Sequence, residues 1–343
     1  NAIIMHIDKE HFGEYLVPFD GQGDIERKII RTPLEPAVTF SDDPLRMLRA
    51  IRFAAQLGFG IDGITLRGIN KEAERIKIIS WERVRDELLK MLTVAKPSEA
   101  LNTLLNTGLL AYLLPEVAVL HGVEFVGGQH HKDQLAHSIK VTDQMAALTE
   151  NVQLRLAALL HDVGKTPTKR FKEDRGWTFD GHEVVGARMI TEIGRRLRLD
   201  LDSIKYIRKL VRWHLRPQVI TSEGVTDSAV RRIIVNMGDW LDDLILLYRA
   251  DITTQNPKKL AQREKDYVLL MRRIEEVRER DRLRAFQSPV RGEEIMKLCN
   301  LTPGPQIGTI KRAIEEAILE GLIPNEYEAA KAYLLEHKEK WLK

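Results

Sequence analysis

The chain has 343 residues, 43% of them hydrophobic and 30% charged, enough apolar material for two or three cores. Fifty-three Lys and Arg against 50 Asp and Glu leave a net charge of +3, which selects no partner. The single cysteine, Cys299, excludes a disulfide scaffold and a thiolate zinc site, and fits a reducing, cytoplasmic setting. No apolar run approaches the roughly 20 residues of a membrane span. The start, Asn1-Ala2-Ile3-Ile4-Met5, has neither the basic region nor the cleavage site of a signal peptide, and without an initiator Met it reads as a fragment.

Apolar residues recur at helical spacing over most of the length, which predicts an all-α, multi-domain helical array. The first thirty residues are the exception. Ile3, Ile4, Met5 and Ile7, then Tyr15, Leu16 and Val17, read as two short strands, and Asp20-Gly21-Gln22-Gly23 as a turn. Two strands alone are marginal in water, so they are expected to be the remnant of a larger sheet or to pack on helices. Pro36 opens the helical pattern. Ser41-Asp42-Asp43-Pro44 predicts a helix start capped by Ser41, with Leu45, Leu48, Ile51 and Ala55 as its buried stripe and Gly58 as its end. Helices are expected over 80–92 and 97–107, a connector over 115–128, a mixed-charge helix over 260–284, and a Pro/Gly-punctuated helical unit over 289–343. There is no internal repeat.

Between residues 137 and 251 lie His137, the adjacent pair His161-Asp162, His182, His214 and Asp251. The pair sits in Leu159-Leu160-His161-Asp162-Val163-Gly164-Lys165, an apolar helix ending at a glycine. Adjacent helical residues point about 100° apart, so the two cannot comfortably chelate one ion from one face. They can serve two ions if the Asp162 carboxylate bridges. Imidazole and carboxylate without thiolate suit a divalent metal, Mg, Mn, Ni, Fe, Co or Zn. Such an ion would activate water and stabilise a phosphoryl oxygen, and Lys165 could contact the same phosphate. Any one of these histidines alone reads as a surface or hydrogen-bonded core residue. Together, in the order H…HD…H…H…D, they resemble the HD superfamily of metal-dependent phosphohydrolases. That resemblance implies His137, His161, Asp162, His182, His214 and Asp251 as metal ligands, with Asp162 and Lys165 in the chemistry. His130 and His131 read as polar residues of the preceding loop.

Asp43 and Arg46 are three apart, hence neighbours on a helical face, with Arg49 one turn further. A carboxylate beside a guanidinium fork can meet the edges of a nucleobase, but spacing alone favours an ion pair worth under about 1 kcal/mol. The run Asp42-Asp43-Pro44-Leu45-Arg46-Met47-Leu48-Arg49-Ala50-Ile51-Arg52-Phe53-Ala54-Ala55 is similar to E-D-P-L-R-x-L-R-A-x-R-F-A-A. That pattern belongs to the neck helix of bacterial tRNA CCA-adding nucleotidyltransferases and their poly(A) polymerase relatives; Asp42 stands where the family has Glu. The resemblance implies that Asp43 and Arg46 form the template selecting C or A, that Arg49 assists with the nucleotide, and that CTP or ATP and a tRNA or RNA 3′ end are partners. It continues at Asn1-Ala2, at 27–32, at 80–88 (the motif that braces the template helix), at 108–116 and at 303–308. It implies a head remnant over 1–31, a neck over 32–116, an HD domain over 117–255 and a tRNA-binding tail over 256–343.

The family's polymerising chemistry needs a Gly-Ser motif and two Asp residues in D-x-D, and neither occurs upstream of residue 40. Asp200-Leu201-Asp202 lies in the HD region and reads as surface acids at a helix end. The chain as given is therefore expected not to polymerise: it reads as the body of a nucleotidyltransferase without its catalytic head, or as a degenerate relative. The alternative is a free-standing HD phosphohydrolase with the neck as scaffold. Charge is uneven. Residues 195–216 carry eight basic side chains against Asp200 and Asp202, and 27–85 carry twelve against seven acids. These are either phosphate contacts for RNA or solvated helix faces. The tail, with 18 basic and 15 acidic residues over 256–343, does not decide between them.

Overall fold

In the computed structural model, which describes residues 3–122, 125, 126, 129, 130, 133–221, 225–281 and 288–341, helices dominate and every described strand has two or three residues. β1 (Ile4–Met5) and β2 (Tyr15–Leu16) pair antiparallel, Ile4 opposite Leu16, where the two strands are expected. The expected turn at 20–23 is instead the start of α1 (Gly21–Glu26). Asp20 takes a left-handed conformation (φ 53°), which aspartate tolerates, and Arg27 reaches Asp20 and Asp24 at 2.7 and 3.0 Å. β3 (Ile29–Ile30) runs parallel to β4 (Gly60–Ile61), a pairing too short to leave a periodic signal.

Two helices meet at Pro44, which sets the break between them. α2 (Pro36–Asp42) opens on a proline, whose missing N–H costs nothing in a first turn. It stops at Asp43 (φ −143°, ψ 100°), because a residue before proline is pushed out of the helical region. α3 (Leu45–Leu57) starts afresh. Ser41 is not its cap: it lies in the last turn of α2, and Asp43 Oδ1 accepts the Leu45 N–H at 3.1 Å instead. Leu48 and Ile51 are buried as expected, with Ala54 rather than Ala55 continuing the stripe one turn on. Gly58 ends α3 in the left-handed region (φ 65°), its N–H on the Ala54 carbonyl.

α4 (Gly63–Glu72), α5 (Trp81–Leu92), α6 (Pro97–Asn106), α7 (Leu109–Leu113) and α8 (Pro115–Ala118) follow, α5 and α6 where the spacing places them. Then come β5 (Phe125–Val126) and β6 (Gln129–His130), with His131 outside the described residues. The histidine-bearing part is α9 (Gln134–Leu148), α10 (Val152–Leu160), α11 (Lys165–Thr168), the hairpin β7 (Arg170–Lys172) and β8 (Gly176–Thr178), α12 (His182–Arg196) and α13 (Leu201–Trp213). α10 is apolar nearly all round because every residue from Leu154 to Leu160 is buried. Asp200 caps α13, accepting the Ser203 N–H at 2.7 Å, which is the helix-end role read for it.

The chain forms two compact units, 1–215 with 243–253, and 216–242 with 254–343. The second holds α14 (Arg216–Ile220), α15 (Asp227–Met237), the start of α16 (Leu241–Ala250), α17 (Pro257–Asp281), α18 (Gly292–Cys299), α19 (Pro305–Leu319) and α20 (Tyr327–Trp341). α17 covers most of the expected 260–284, of which 282–284 lie outside the described residues; it buries Leu270, Ile274 and Val277. Ile295, Ile310, Ile314, Leu334 and the free Cys299 form the core of the C-terminal helices. No described helix is long and apolar enough to cross a membrane.

Within the first unit, Arg196 on α12 forks onto Glu116 on α8 with two bonds of 2.6 Å. Burial works against the Glu116 carboxylate, but the guanidinium outweighs it and holds the pKa below the ordinary 4.5. A carboxyl with a lowered folded-state pKa adds stability above its unfolded pKa, and that stability is lost as pH falls through the folded value. Glu116→Gln is therefore expected to cost about 1–2 kcal/mol at neutral pH. In urea melts the gap to the parent should close below about pH 4, and a gap unchanged at lower pH would refute the pair's role.

Candidate metal centre and template face

Helix ends converge on one place in the first unit. His161 follows the last turn of α10 and His214 that of α13; His182 opens α12, His137 lies in the first turn of α9, and Asp251 follows α16. The Nδ1 of His161, His182 and His214 each donates to the carbonyl three residues upstream: Ala158 at 2.7 Å, Phe179 at 2.9 Å and Val211 at 2.7 Å. A carbonyl can only accept, so each bond fixes the tautomer that leaves the Nε2 lone pair for a ligand. His137 Nδ1 pairs with Thr253 Oγ1 at 3.1 Å.

The Nε2 atoms surround Asp162, which is 2% exposed. Asp162 Oδ2 lies 3.2 Å from His161 and 3.6 Å from His137, while Oδ1 lies 3.4 Å from His182 and 3.8 Å from His214. Asp251 Oδ1 is 2.9 Å from His137 and 3.6 Å from His161. Two donor groups result, His137–His161–Asp251 and Asp162–His182–His214, the ligand atoms of each within 4.8 Å of one another. Asp162 turns one oxygen toward each side. The fit to a divalent cation rests on more than proximity: imidazoles and carboxylates alone make up both groups, and buried His161 Nε2 makes no hydrogen bond among the described residues. Lys165 Nζ approaches Asp162 Oδ2 to 2.5 Å as an ion pair and donates to Gln134 Oε1 at 2.9 Å.

Burial alone would keep His161 neutral, yet the Asp162 carboxylate beside it, with Asp251, pushes its pKa up to about 9. His214 goes the other way, to about 4, through burial and then the charge on His161. Burial opposes the charge on Asp162, but His161, His182 and Lys165 hold it far below the carboxylate range. Asp251 is lowered against burial by His137 and His161. A cation would take the place of the His161 Nε2 proton, so metal loading releases it.

The Asp251 segment is held by residues that no motif in the sequence marks. Lys140 Nζ donates to the Thr253 carbonyl at 2.8 Å and Gln144 Nε2 to that of Ile252 at 3.2 Å. A signal for them does exist, since 137, 140 and 144 make one stripe of a helix. Gly164 matters through closeness: a Cβ there would lie 2.1 Å from the His182 carbonyl oxygen and 2.6 Å from the Gly186 nitrogen. Gly164→Ala must push α12 away and carry His182 with it. Metal affinity is expected to fall about 10–100-fold in calorimetric titration. Unchanged affinity would show that the seat tolerates a methyl group.

The residues expected to form the template lie elsewhere in the same unit. Asp43 is not on a helical face with Arg46, because Pro44 places it at the break. Besides the Leu45 N–H, its carboxylate accepts from Arg83 Nη2 of α5 at 3.1 Å. Arg46 pairs with Asp42 at 2.7 Å rather than with Asp43, and donates to the Thr39 carbonyl at 3.3 Å. Arg46 and Arg49 are exposed, Arg49 lying 5.8 Å from the Phe53 ring centre. α5 is tied to α3 again by a buried Arg52–Glu87 pair at 2.6 Å.

Residues 58–120 match the model described as the probable RNA and SrmB-binding site of polymerase A, and 135–254 match the HD domain. The A-adding tRNA nucleotidyltransferase of Deinococcus radiodurans is 33% identical over 91% of this chain and 72% of its own length. The CC-adding tRNA nucleotidyltransferase of Thermus thermophilus is 34% identical, over 91% of this chain and 70% of that protein. In fold, the Bacillus stearothermophilus CCA-adding enzyme solved in complex with CTP matches with a TM-score of 0.56 at 23% identity, covering 99% of this chain and 72% of that one. With two such relatives aligned from the neck helix through the HD cluster, the chain belongs to the tRNA nucleotidyltransferase family.

Proposed function

We propose that this chain holds the 3′ end of a tRNA and presents Asp43, Arg46 and Arg49 to the base and phosphates of CTP or ATP. The observation that carries this reading is the setting of Asp43. Its carboxylate is oriented by a backbone N–H and by Arg83, beside exposed arginines that supply donors. The relatives' names, A-adding and CC-adding, fit a site limited to those two bases. We read the chain as a head remnant over 1–31, a neck over 32–116, an HD domain over 117–255 and a tail over 256–343.

The cluster of His137, His161, Asp162, His182, His214 and Asp251 is read as the seat of a divalent metal, two ions being the number its two donor groups suit. A bound cation would there supply Lewis-acid stabilisation and an activated water for hydrolysing a phosphomonoester or 2′,3′-cyclic phosphodiester. In this reading Asp162 would hold both sides together, and Lys165, 2.5 Å from Asp162 Oδ2, would meet a substrate phosphate.

Nucleotide binding tests the template reading, since this sequence carries no D-x-D upstream of residue 40 with which to score transfer. The parent is expected to prefer CTP and ATP over UTP and GTP in equilibrium dialysis. Asp43→Ala should weaken both by about tenfold and erase the preference, the loss of one charged hydrogen bond. Unaltered discrimination in Asp43→Ala would defeat the assignment.

A further inference from the structure

A groove of about 610 Å³ runs between α12 and α13, apart from the metal cluster and the Asp43 face. Each wall is one stripe of a helix: Val184, Ala187, Arg188 and Thr191 from α12, and Lys205, Arg208, Lys209 and Arg212 from α13, with Trp213 at one end. The walls extend about 12 Å along the helices at 1.5 Å per residue. The end with Val184 and Trp213 is the end that adjoins His182 and His214.

Charge in the groove is one-sided. Arg188, Lys205, Arg208, Lys209 and Arg212 line it against Glu192 alone. Glu192 is drawn to Arg195 at 3.1 Å, and Arg212 is 3.3 Å from Glu183. Burial, and then the neighbouring Lys205 ammonium, pull Lys209 below the usual lysine range. Such crowding of cations is relieved by a polyanion. A row of cations beside an apolar floor with an aromatic at one end matches the needs of a single nucleic-acid strand, whose backbone follows the charges while a base meets the ring.

We infer that the groove between α12 and α13 is a docking track for the phosphate backbone of a single-stranded RNA segment, leading toward the metal cluster. The inference deepens the RNA-binding part of the proposed function and adds a binding surface that shares no residue with the template. An acidic protein is the competing occupant, but it would have no use for the aromatic end.

The test uses the full chain and the exposed residues Arg188, Lys205 and Arg208. Binding of a short fluorescein-labelled single-stranded RNA is followed by anisotropy over a salt series, with polyglutamate as a second probe. The triple variant Arg188→Gln, Lys205→Gln, Arg208→Gln is expected to weaken RNA binding at least tenfold and to make the salt slope shallower by about two, roughly 0.7 for each phosphate no longer neutralised. Exchanging the same positions between Lys and Arg should restore both. Equal affinity and slope in a triple variant with parental circular dichroism and melting temperature would overturn the inference, as would polyglutamate binding that the triple variant loses while RNA binding stays. Loss of CTP and ATP preference in the parent would sink the template reading and leave this one standing, because the groove shares no residue with the Asp43 face.

Discussion

On the proposed reading of the HD cluster, Asp162→Asn is expected to strip metal from both donor groups at once and to slow phosphate hydrolysis by about 10³-fold or more. Among the described residues the carboxylate is the one group that faces both sides, with Oδ2 toward His137 and His161 and Oδ1 toward His182 and His214. An amide of the same shape keeps one acceptor oxygen and turns an NH₂ toward the other side, where it aims a donor at a ligand position. The charge goes too, and Lys165 is left beside a neutral side chain. Metal stabilisation of a phosphoryl transition state is worth several kcal/mol, and about 1.4 kcal/mol is a factor of ten. His214→Ala makes the contrast, because it removes a donor from one group only. Metal content after dialysis, by elemental analysis, should fall to background in Asp162→Asn and by about half in His214→Ala, as expected for ligands of separate ions. Parental metal content in Asp162→Asn would mean that the bridge does not hold the ions.

The residues of the cluster are legible in the sequence because their types and order survive without any structure, spread though they are from His137 to Asp251. What positions them is not. His161 and His214 stand where a helix has just ended, so a carbonyl three residues back is free to accept from Nδ1. That pattern, a helix closing on a histidine, can be read from sequence once its reason is known. The template face shows the opposite case. Pro44 announces a break at Asp43, yet Ser41 has every local mark of a cap, and only the helix already running from Pro36 takes it out of that role. The two-residue strands leave no periodicity at all, and pairs such as Asp43–Arg83 join residues 40 apart in the chain.

Arg155 is hidden from sequence in the same way, and its removal carries the largest expected loss of stability. In sequence it is one charge inside Leu154-Arg155-Leu156, where a solvent-facing position is the ordinary reading; in the structure it is 4% exposed. Its guanidinium donates to four carbonyls: Leu92 at 2.7 Å, Val94 at 3.1 Å, Ala146 at 3.0 Å and Thr149 at 2.8 Å. Two of these lie at or just beyond the end of α5 and two at the end of α9. One cation thus satisfies the spare acceptors of two helix C-termini, the pole of the helix that favours positive charge. Arg155→Met fills much of the same space but leaves those carbonyls without their donor, which should cost at least about 4 kcal/mol. For a unit of this size that lowers the midpoint of scanning calorimetry by about 8–16 °C. Arg155→Lys should fall between, since an ammonium keeps the charge but cannot span four acceptors in a fixed fork. Because α10 ends at His161, the methionine variant should also bind metal more weakly at temperatures where it remains folded. A loss below about 1 kcal/mol would show that water replaces the guanidinium at these carbonyls, and that α10 is seated by its leucines alone.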